Sequence, residues 1–181
     1  MGLYKVINIF KKIPPSTKSI PGIPRAVWRR PLYFVAFGFG SGAMPFAPGT
    51  FGTLMAIPFY LLLQDLPFYL YVTFVIFFAM ASVYLCDKIS RDTGTEDHPG
   101  MCIDEFVGFF VTMMHADTGS GWIILGFVLF RIFDIWKPWP IRVIDKKIHG
   151  GLGMVLDDMV AGLFGCIVMQ CLMFLIKISI V

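Results

Sequence analysis

Charged residues are scarce in this chain: Asp, Glu, Lys and Arg make up 15% of it, whereas soluble domains contain about 25%. Hydrophobic residues account for 57%, and the mean hydropathy is +0.76. This composition excludes an ordinary soluble domain and indicates a membrane protein. The 181 residues are enough for one domain.

Acidic residues are absent from the first 30 positions, which instead carry several lysines, arginines and prolines. This bias predicts a largely irregular basic arm, residues 1–37, that lies on an anionic membrane leaflet. Nucleic-acid binding is the alternative, but no folded basic face follows, so we expect no nucleic-acid partner. The arm also lacks the apolar core and cleavage site of a signal peptide. Residues 38–181 are predicted to form one membrane-embedded domain.

Cysteine pairs with metal-binding spacing are also missing. The chain has four cysteines, and none of them forms a C-x-x-C motif. Neither a disulfide framework nor a zinc site is therefore expected. Cys166 and Cys171 lie in an apolar run, where cysteine acts as a small hydrophobic residue.

Long apolar runs dominate the rest of the chain. Unpaired strand edges cannot lie in lipid, so each run predicts a helix. Three runs are shorter than the ~20 residues that a straight span needs, and we expect them to be tilted, half-buried or re-entrant. The predicted fold class is an all-α, polytopic membrane bundle of about four to five embedded helices. The five runs are 50–64, 66–86, 106–115, 122–136 and 159–176.

The distribution of Lys and Arg predicts the topology. Cytoplasmic loops are rich in these residues, which places the N-terminus and the loops 87–103 and 137–150 in the cytoplasm. The polar residues at helix ends then all fall on the cytoplasmic side, and we expect them to form one charged pocket. They are Thr50, Asp104, Glu105, Arg131, Asp134, Lys137, Asp157 and Asp158.

Arg131, Asp134 and Lys137 follow one another at three-residue intervals, ahead of Pro138. Residues three apart share a helix face, so the three predict one polar ridge. Arg131 and Lys137 are suited to phosphate oxygens, and Asp134 could orient Arg131 or bind a metal. The alternative is an internal salt bridge at a helix end.

Two acidic pairs precede apolar runs, Asp104-Glu105 and Asp157-Asp158. Adjacent helical residues point about 100° apart, so one carboxylate of a pair could bind a metal while the other braces it. Oxygen ligands of this kind suit Mg²⁺ bound together with substrate phosphate. The alternative is simple compensation of the helix dipole in a first turn.

Small residues follow the second acidic pair at four-residue spacing. Gly162 follows Asp158, while Ala161 and Gly165 follow Asp157. Such lanes allow a neighbouring helix to approach closely. We therefore expect another helix to lie near these carboxylates.

Two further stretches carry candidate polar groups. His149 precedes Gly150, Gly151 and Gly153, which could turn backbone N–H groups toward an anion or form an ordinary turn. His149 itself could protonate a leaving alcohol or be a surface histidine. Thr50 could cap a helix or contact phosphate or metal.

At this point the sequence resembles the phosphatidylglycerophosphatase A enzymes of bacterial inner membranes. The resemblance lies in four ordered motifs: PGTFGTL at 48–54, DEFVG at 104–108, FRIFDIWKPWPI at 130–141 and HGGLGMVLDDMVAG at 149–162. It covers essentially all of the chain from about residue 38.

The resemblance implies a Mg²⁺-dependent, mainly α-helical lipid phosphatase that removes the terminal phosphate of phosphatidylglycerophosphate. The expected partners are this phospholipid and the inner membrane, with the site facing the cytoplasm. The expected roles are catalytic carboxylates (Asp104, Glu105, Asp134, Asp157, Asp158), metal ligands (Asp104, Glu105, Asp157, Asp158) and phosphate-binding groups (Arg131, Lys137, Thr50, His149). Attack by metal-activated water and attack by Asp157 or Asp158 both remain open.

Rival functions lack their motifs. The D-G-x-x-A-R pattern of CDP-alcohol phosphotransferases and the S-G-H motif of histidine-dependent lipid phosphatases are absent. An ion- or proton-coupled transporter that uses the same carboxylates is the remaining alternative. A transporter would need charges near mid-membrane, whereas here they cluster at one face.

Overall fold

The computed structural model describes residues 25–95 and 98–180, and within these ranges all regular secondary structure is helical. Two short 3₁₀ helices, Arg25–Trp28 and Gly38–Ala43, lie near the start. No strand occurs among these residues, in agreement with the predicted all-α class. The α-helices are α1 (Pro31–Ala36), α2 (Pro48–Leu63), α3 (Phe68–Thr93), α4 (Ile103–Thr112), α5 (Ser120–Trp136), α6 (Ile141–Lys147) and α7 (Gly150–Ile180).

The five apolar runs correspond to α2, α3, α4, α5 and α7, so the prediction of a helix for each is confirmed. The predicted start of the last helix is wrong, because α7 begins at Gly150 and not at residue 159. The glycines that suggested a loop instead let α7 approach α3. A methyl group on Gly151 would overlap the carbonyl oxygen of Val83.

α4 lies at the centre of the bundle. It packs against α2, α3, α5 and α7, most extensively against α7. All its residues except Glu105 are buried. The contact with α7 is made by backbone, because a methyl group on Gly162 would overlap the Gly108 carbonyl oxygen. The small-residue lane on α7 therefore receives a helix as predicted, and that helix carries the other acidic pair.

Two helices, Phe68–Thr93 and Gly150–Ser179, are long and apolar enough to cross a membrane. α2 and α5, with 16 and 17 residues, are shorter. At 1.5 Å per residue they extend about 24 and 26 Å, less than the ~30 Å of a bilayer core. Large apolar side chains such as Phe77 and Phe174 are exposed on the two long helices, where they suit contact with lipid.

The last part of the predicted basic arm is folded. Val27, Tyr33 and Phe37 are buried in the common core. The Tyr33 hydroxyl donates a hydrogen bond to Asp92 of α3 at 3.0 Å. The first 24 positions of the arm lie outside the described residues. None of the four cysteines forms a disulfide bond.

Candidate active site

A cavity of about 250 Å³ opens at the end of the bundle where α4 and α7 begin and α5 ends. All five candidate carboxylates line it, so the predicted charged pocket exists. Thr50 and Arg131 are not among the described residues that line it. The sequence-predicted residues in its wall are Asp104, Glu105, Asp134, Lys137, His149, Asp157 and Asp158.

Three carboxylates from α4 and α7 meet in this cavity. One oxygen each from Asp104, Glu105 and Asp158 lies within 4.8 Å of the others. Asp104 and Asp158 are buried, and the Oε2 atom of Glu105 is shielded from solvent without a hydrogen-bond partner. Carboxylates this close repel one another unless a cation or proton lies between them.

This trio could hold a divalent metal ion. Its ligand atoms are all carboxylate oxygens, which Mg²⁺ prefers, and the cavity leaves room for water and a phosphate. An unpartnered, solvent-shielded oxygen on Glu105 is the feature that a metal ligand would explain. The residues therefore fit the Mg²⁺ expected from the sequence.

Asp157 has a different partner from its neighbour Asp158. Its Oδ2 accepts a hydrogen bond from Lys137 Nζ at 2.6 Å. Lys137 also donates to Asp145 Oδ1 at 2.6 Å. The two adjacent carboxylates thus have different neighbours, and their division into a metal ligand and a bracing group stays a prediction.

Lys137 owes its position to the end of α5. It occupies the C-terminal cap with a left-handed φ of 45°, and Pro138 prevents the helix from continuing. Burial opposes its charged form, but the hydrogen bonds that Lys137 donates to Asp145 and Asp157 outweigh burial and raise the pKa of Lys137. The ammonium group therefore stays charged in the cavity.

Arg131 forms an ion pair with one carboxylate of the cavity wall, Asp134, and does not itself line the cavity. Its Nη1 lies 2.7 Å from Asp134 Oδ2, so the internal salt bridge considered as an alternative is present. The same Nη1 donates to Thr53 Oγ1 at 3.5 Å. A side chain at Gly49 would meet both Glu105 and Arg131, so this glycine lets α2 approach them.

The structure corrects the interpretation of Thr50. The cap of α2 is Ala47, and Pro48 is its first residue, where the missing N–H of proline costs nothing. Thr50 is therefore the third residue of the helix and not its cap. Contact of Thr50 with phosphate stays a prediction, and Thr50 is not among the described residues that line the cavity.

The Gly-rich stretch is also not an open anion cradle. Gly150 already begins α7, and the Gly151 N–H donates to Asp87 Oδ1 of α3 at 3.0 Å. Asp157 and Asp158 are thus two turns inside the helix, which removes first-turn dipole compensation as their explanation. His149 precedes α7, is exposed and lines the cavity.

Three residues of this region were missed by sequence reasoning: Thr53, Asp87 and Asp145. Thr53 is four residues after Gly49 in the PGTFGTL motif, and that spacing on one helix face was an available signal. Asp145 lies in α6, a short charged helix that no apolar run in the sequence predicts. Asp87 reaches α7 only through tertiary packing, for which the sequence gives no signal.

The comparison with known proteins agrees with the four motifs. The family model described as Phosphatidylglycerophosphatase A matches residues 34–173. No significant match to a solved structure was found.

Three curated relatives are similar over most of the chain. A phosphatidylglycerophosphatase A of Escherichia coli (strain K12) is 47% identical over 133 residues, which cover 73% of this chain and 77% of the relative. One of Haemophilus influenzae is 38% identical, over 80% of this chain and 90% of the relative. A Bacteroides thetaiotaomicron protein, provisionally named a phosphatidylinositol-3-phosphatase, is 36% identical over 77% of this chain and 93% of the relative. With a family match over most of its length, the chain belongs to the phosphatidylglycerophosphatase A family.

Proposed function

We propose that this protein is a lipid phosphatase that hydrolyses the terminal phosphate monoester of phosphatidylglycerophosphate to give phosphatidylglycerol and inorganic phosphate. The observation that carries the proposal is the meeting of Asp104, Glu105 and Asp158 within 4.8 Å, beside Lys137, in one cavity of a phosphatidylglycerophosphatase A family member. The names of the Escherichia coli and Haemophilus influenzae relatives support the substrate.

Mg²⁺ is the proposed cofactor, with Asp104, Glu105 and Asp158 as its protein ligands. When bound, it would neutralise charge on the phosphoryl oxygens and lower the pKa of a water molecule. Asp157 was also predicted as a ligand, but its hydrogen bond to Lys137 supports a bracing role instead.

Lys137 is the proposed phosphate-binding cation. Two of its three N–H donors are used by Asp145 and Asp157, so one remains for a phosphate oxygen. The ion pair of Arg131 with Asp134 supports a bracing role from outside the cavity, while its direct contact with phosphate stays a prediction.

The reaction transfers the phosphoryl group to water. The new bond forms between the water oxygen and phosphorus as a carboxylate of the cavity accepts a proton from the water, and the bond from phosphorus to the glycerol oxygen breaks. The departing alkoxide needs a proton, and His149 in the cavity wall is the proposed donor. An attack by Asp157 or Asp158 is the alternative route, with water hydrolysing the resulting acyl phosphate.

The proposed location is the bacterial inner membrane, with several helices embedded and the cavity facing the cytoplasm. Two apolar helices of spanning length and the lipid-phosphatase family support membrane association. The cytoplasmic orientation rests on the Lys and Arg content of the loops that flank the cavity. The carboxylates cluster at one end of the bundle, and the family is one of phosphatases, so nothing supports the transporter alternative.

The test is phosphate release by the purified protein in detergent, with Mg²⁺ and with EDTA. Asp158→Asn should lose at least 100-fold in kcat, an order of magnitude typical of losing a key electrostatic group. Asp117→Asn is the matched control, because 46% of the Asp117 side chain is accessible and this side chain forms an ion pair only with Lys177 among the described residues. Its activity should equal that of the wild type.

The substrate should be compared with phosphatidylinositol-3-phosphate, because of the name given to the Bacteroides thetaiotaomicron relative. A higher kcat/KM for phosphatidylglycerophosphate supports the proposal, and a higher value for the phosphoinositide overturns the substrate. Absence of Mg²⁺-dependent release from either lipid by folded protein overturns the phosphatase function.

A further inference from the structure

The chain between α5 and α7 forms one side of the cavity mouth. We call residues 135–147 the α5–α6 corner. Its Lys137 and Asp145 line the cavity, and so do Ile148 and His149, which follow it directly. Whatever binds the outer surface of the corner is therefore adjacent to the cavity.

Large apolar side chains are exposed on this corner. Ile135 is 70% exposed, Trp136 67% and Trp139 80%. Tryptophan is enriched where the hydrocarbon of a bilayer meets water, because its ring is apolar and its N–H is polar. Exposure of two tryptophans within four residues is therefore typical of a segment at the membrane surface.

Three exposed cations lie on the α6 part of the corner. Arg142 and Lys146 lie four residues apart on one face of α6, with Lys147 beside them, and all three are exposed. None of them makes an ion pair with any described residue, whereas Lys88 at the same end of the bundle pairs with Asp92 at 3.5 Å. Exposed cations beside tryptophans are the composition that binds anionic lipid surfaces.

The charge of the cavity makes nearby cations important for binding an anionic lipid. Six carboxylates line it, and Lys137 is the one Lys or Arg among its described lining residues. The resulting negative potential repels an anionic phospholipid before any metal is bound. A cationic rim offsets this repulsion at the point where a lipid headgroup enters.

We infer that the α5–α6 corner lies in the headgroup layer of an anionic bilayer and passes anionic phospholipid to the cavity. The membrane contact is independent of the reaction. The delivery step rests on the proposed function, since it concerns the substrate of that reaction.

The membrane contact is tested without activity, on the full chain reconstituted in vesicles of phosphatidylcholine with or without phosphatidylserine. Lipids brominated near the headgroup quench nearby tryptophan, and the difference between wild type and Trp139→Phe isolates Trp139. Quenching of Trp139 should increase with phosphatidylserine and decrease with added salt. The variant Arg142→Gln/Lys146→Gln/Lys147→Gln should lose the increase. Equal quenching in both kinds of vesicle overturns the inference.

Delivery is tested by kinetics in phosphatidylcholine vesicles with phosphatidylglycerophosphate at varied surface fraction. Removal of each of the three cations, Arg142, Lys146 or Lys147, should raise KM about fivefold at low salt. The value of kcat should stay within about twofold of the wild type. Lys88→Gln is the control and should leave KM unchanged. An unchanged KM in the triple variant overturns delivery. If the wild type itself releases no phosphate, the proposed function fails, and the quenching result still decides the membrane contact.

Discussion

The amide of Gly151 donates a hydrogen bond to the carboxylate of Asp87 at 3.0 Å, so a side chain of α3 caps the start of α7. Arg91, one turn further along α3, forms an ion pair with the same carboxylate. The cap fixes the position of α7 relative to α3. Asp157 and Asp158 follow two turns later on the same rigid helix.

Asp87→Ala should therefore destabilise the protein by about 1 kcal/mol, the usual cost of a lost helix cap. It should also raise the Mg²⁺ concentration needed for half-maximal activity, because the start of α7 is less well fixed. Thermal unfolding and a Mg²⁺ titration measure the two effects. Asp87→Asn keeps an accepting oxygen and should recover most of the loss. Equal Mg²⁺ dependence in wild type and Asp87→Ala would show that the cap does not position the carboxylates.

The close carboxylates of α4 and α7 predict a metal effect on stability. Mg²⁺ at 100 times its dissociation constant should stabilise the folded protein by about 2.7 kcal/mol. Glu105→Gln removes one of the three repelling charges, so it should raise the melting temperature in EDTA and reduce the increase caused by Mg²⁺. Differential scanning fluorimetry in detergent measures both. A full Mg²⁺ response in Glu105→Gln would exclude this residue as a ligand.

Asp145 predicts an effect on substrate affinity. It pairs with Lys137 from the more exposed side, with 42% of its side chain accessible, whereas 8% of the Asp157 side chain is accessible. An arriving phosphate should compete with the exposed partner, since exposed ion pairs are weak. Asp145→Asn should lower KM, and the inhibition constant of inorganic phosphate, about twofold to fivefold. The value of kcat should change little, and a raised KM would contradict this role.

The backbone contact between α4 and α7 predicts a packing effect. Gly162→Ala places a methyl group against the carbonyl oxygen of Gly108, where no flexible side chain can move away. Overpacking of this kind costs about 1–3 kcal/mol, and the shift of α7 should also reduce kcat. Gly121→Ala is the control, since nothing lies within 4 Å of its new methyl group. Denaturation midpoints and phosphate release should separate the two variants.

Tyr33 predicts instability at high pH. Burial, together with its hydrogen bond to Asp92, raises its pKa from 10.0 to about 12. The unfolded chain releases this proton first, so stability should fall as the pH rises through the window between these values. Tyr33→Phe should be less stable than wild type at pH 8 by about 1 kcal/mol. Its stability should also decrease less than that of the wild type as the pH rises above 10. Tyr84→Phe, a change at an exposed residue, should behave as wild type.

The sequence predicted the helices best where hydropathy alone decides their existence. The runs that became α2, α3, α4, α5 and α7 are long enough for this. α6 is seven residues long and carries charges, so its helical state depends on packing against α7. The early start of α7 was missed because glycine disfavours helix intrinsically, while here it allows contact with α3.

The sequence predicted those site residues that are ionisable and lie beside apolar runs, because such residues are rare in membrane segments. An ionisable residue beside an apolar run is costly, so Asp104, Asp134 and Asp158 stood out. Arg131 also stood out, but its partners depend on the approach of α2 at Gly49. The pairing of Lys137 with Asp145 depends on the turn after α5, which hydrophobic pattern does not encode.

The origin of the three carboxylates in α4 and α7 has a consequence for biosynthesis. Asp104 and Glu105 leave the ribosome more than 50 residues before Asp158, and α4 has α7 as its most extensive partner. A nascent chain that ends before α7 holds Asp104 and Glu105 without the carboxylate of Asp158 and without the helix that packs most extensively against α4. We therefore predict that a chain truncated upstream of Gly150, which lacks all of α7, releases no phosphate.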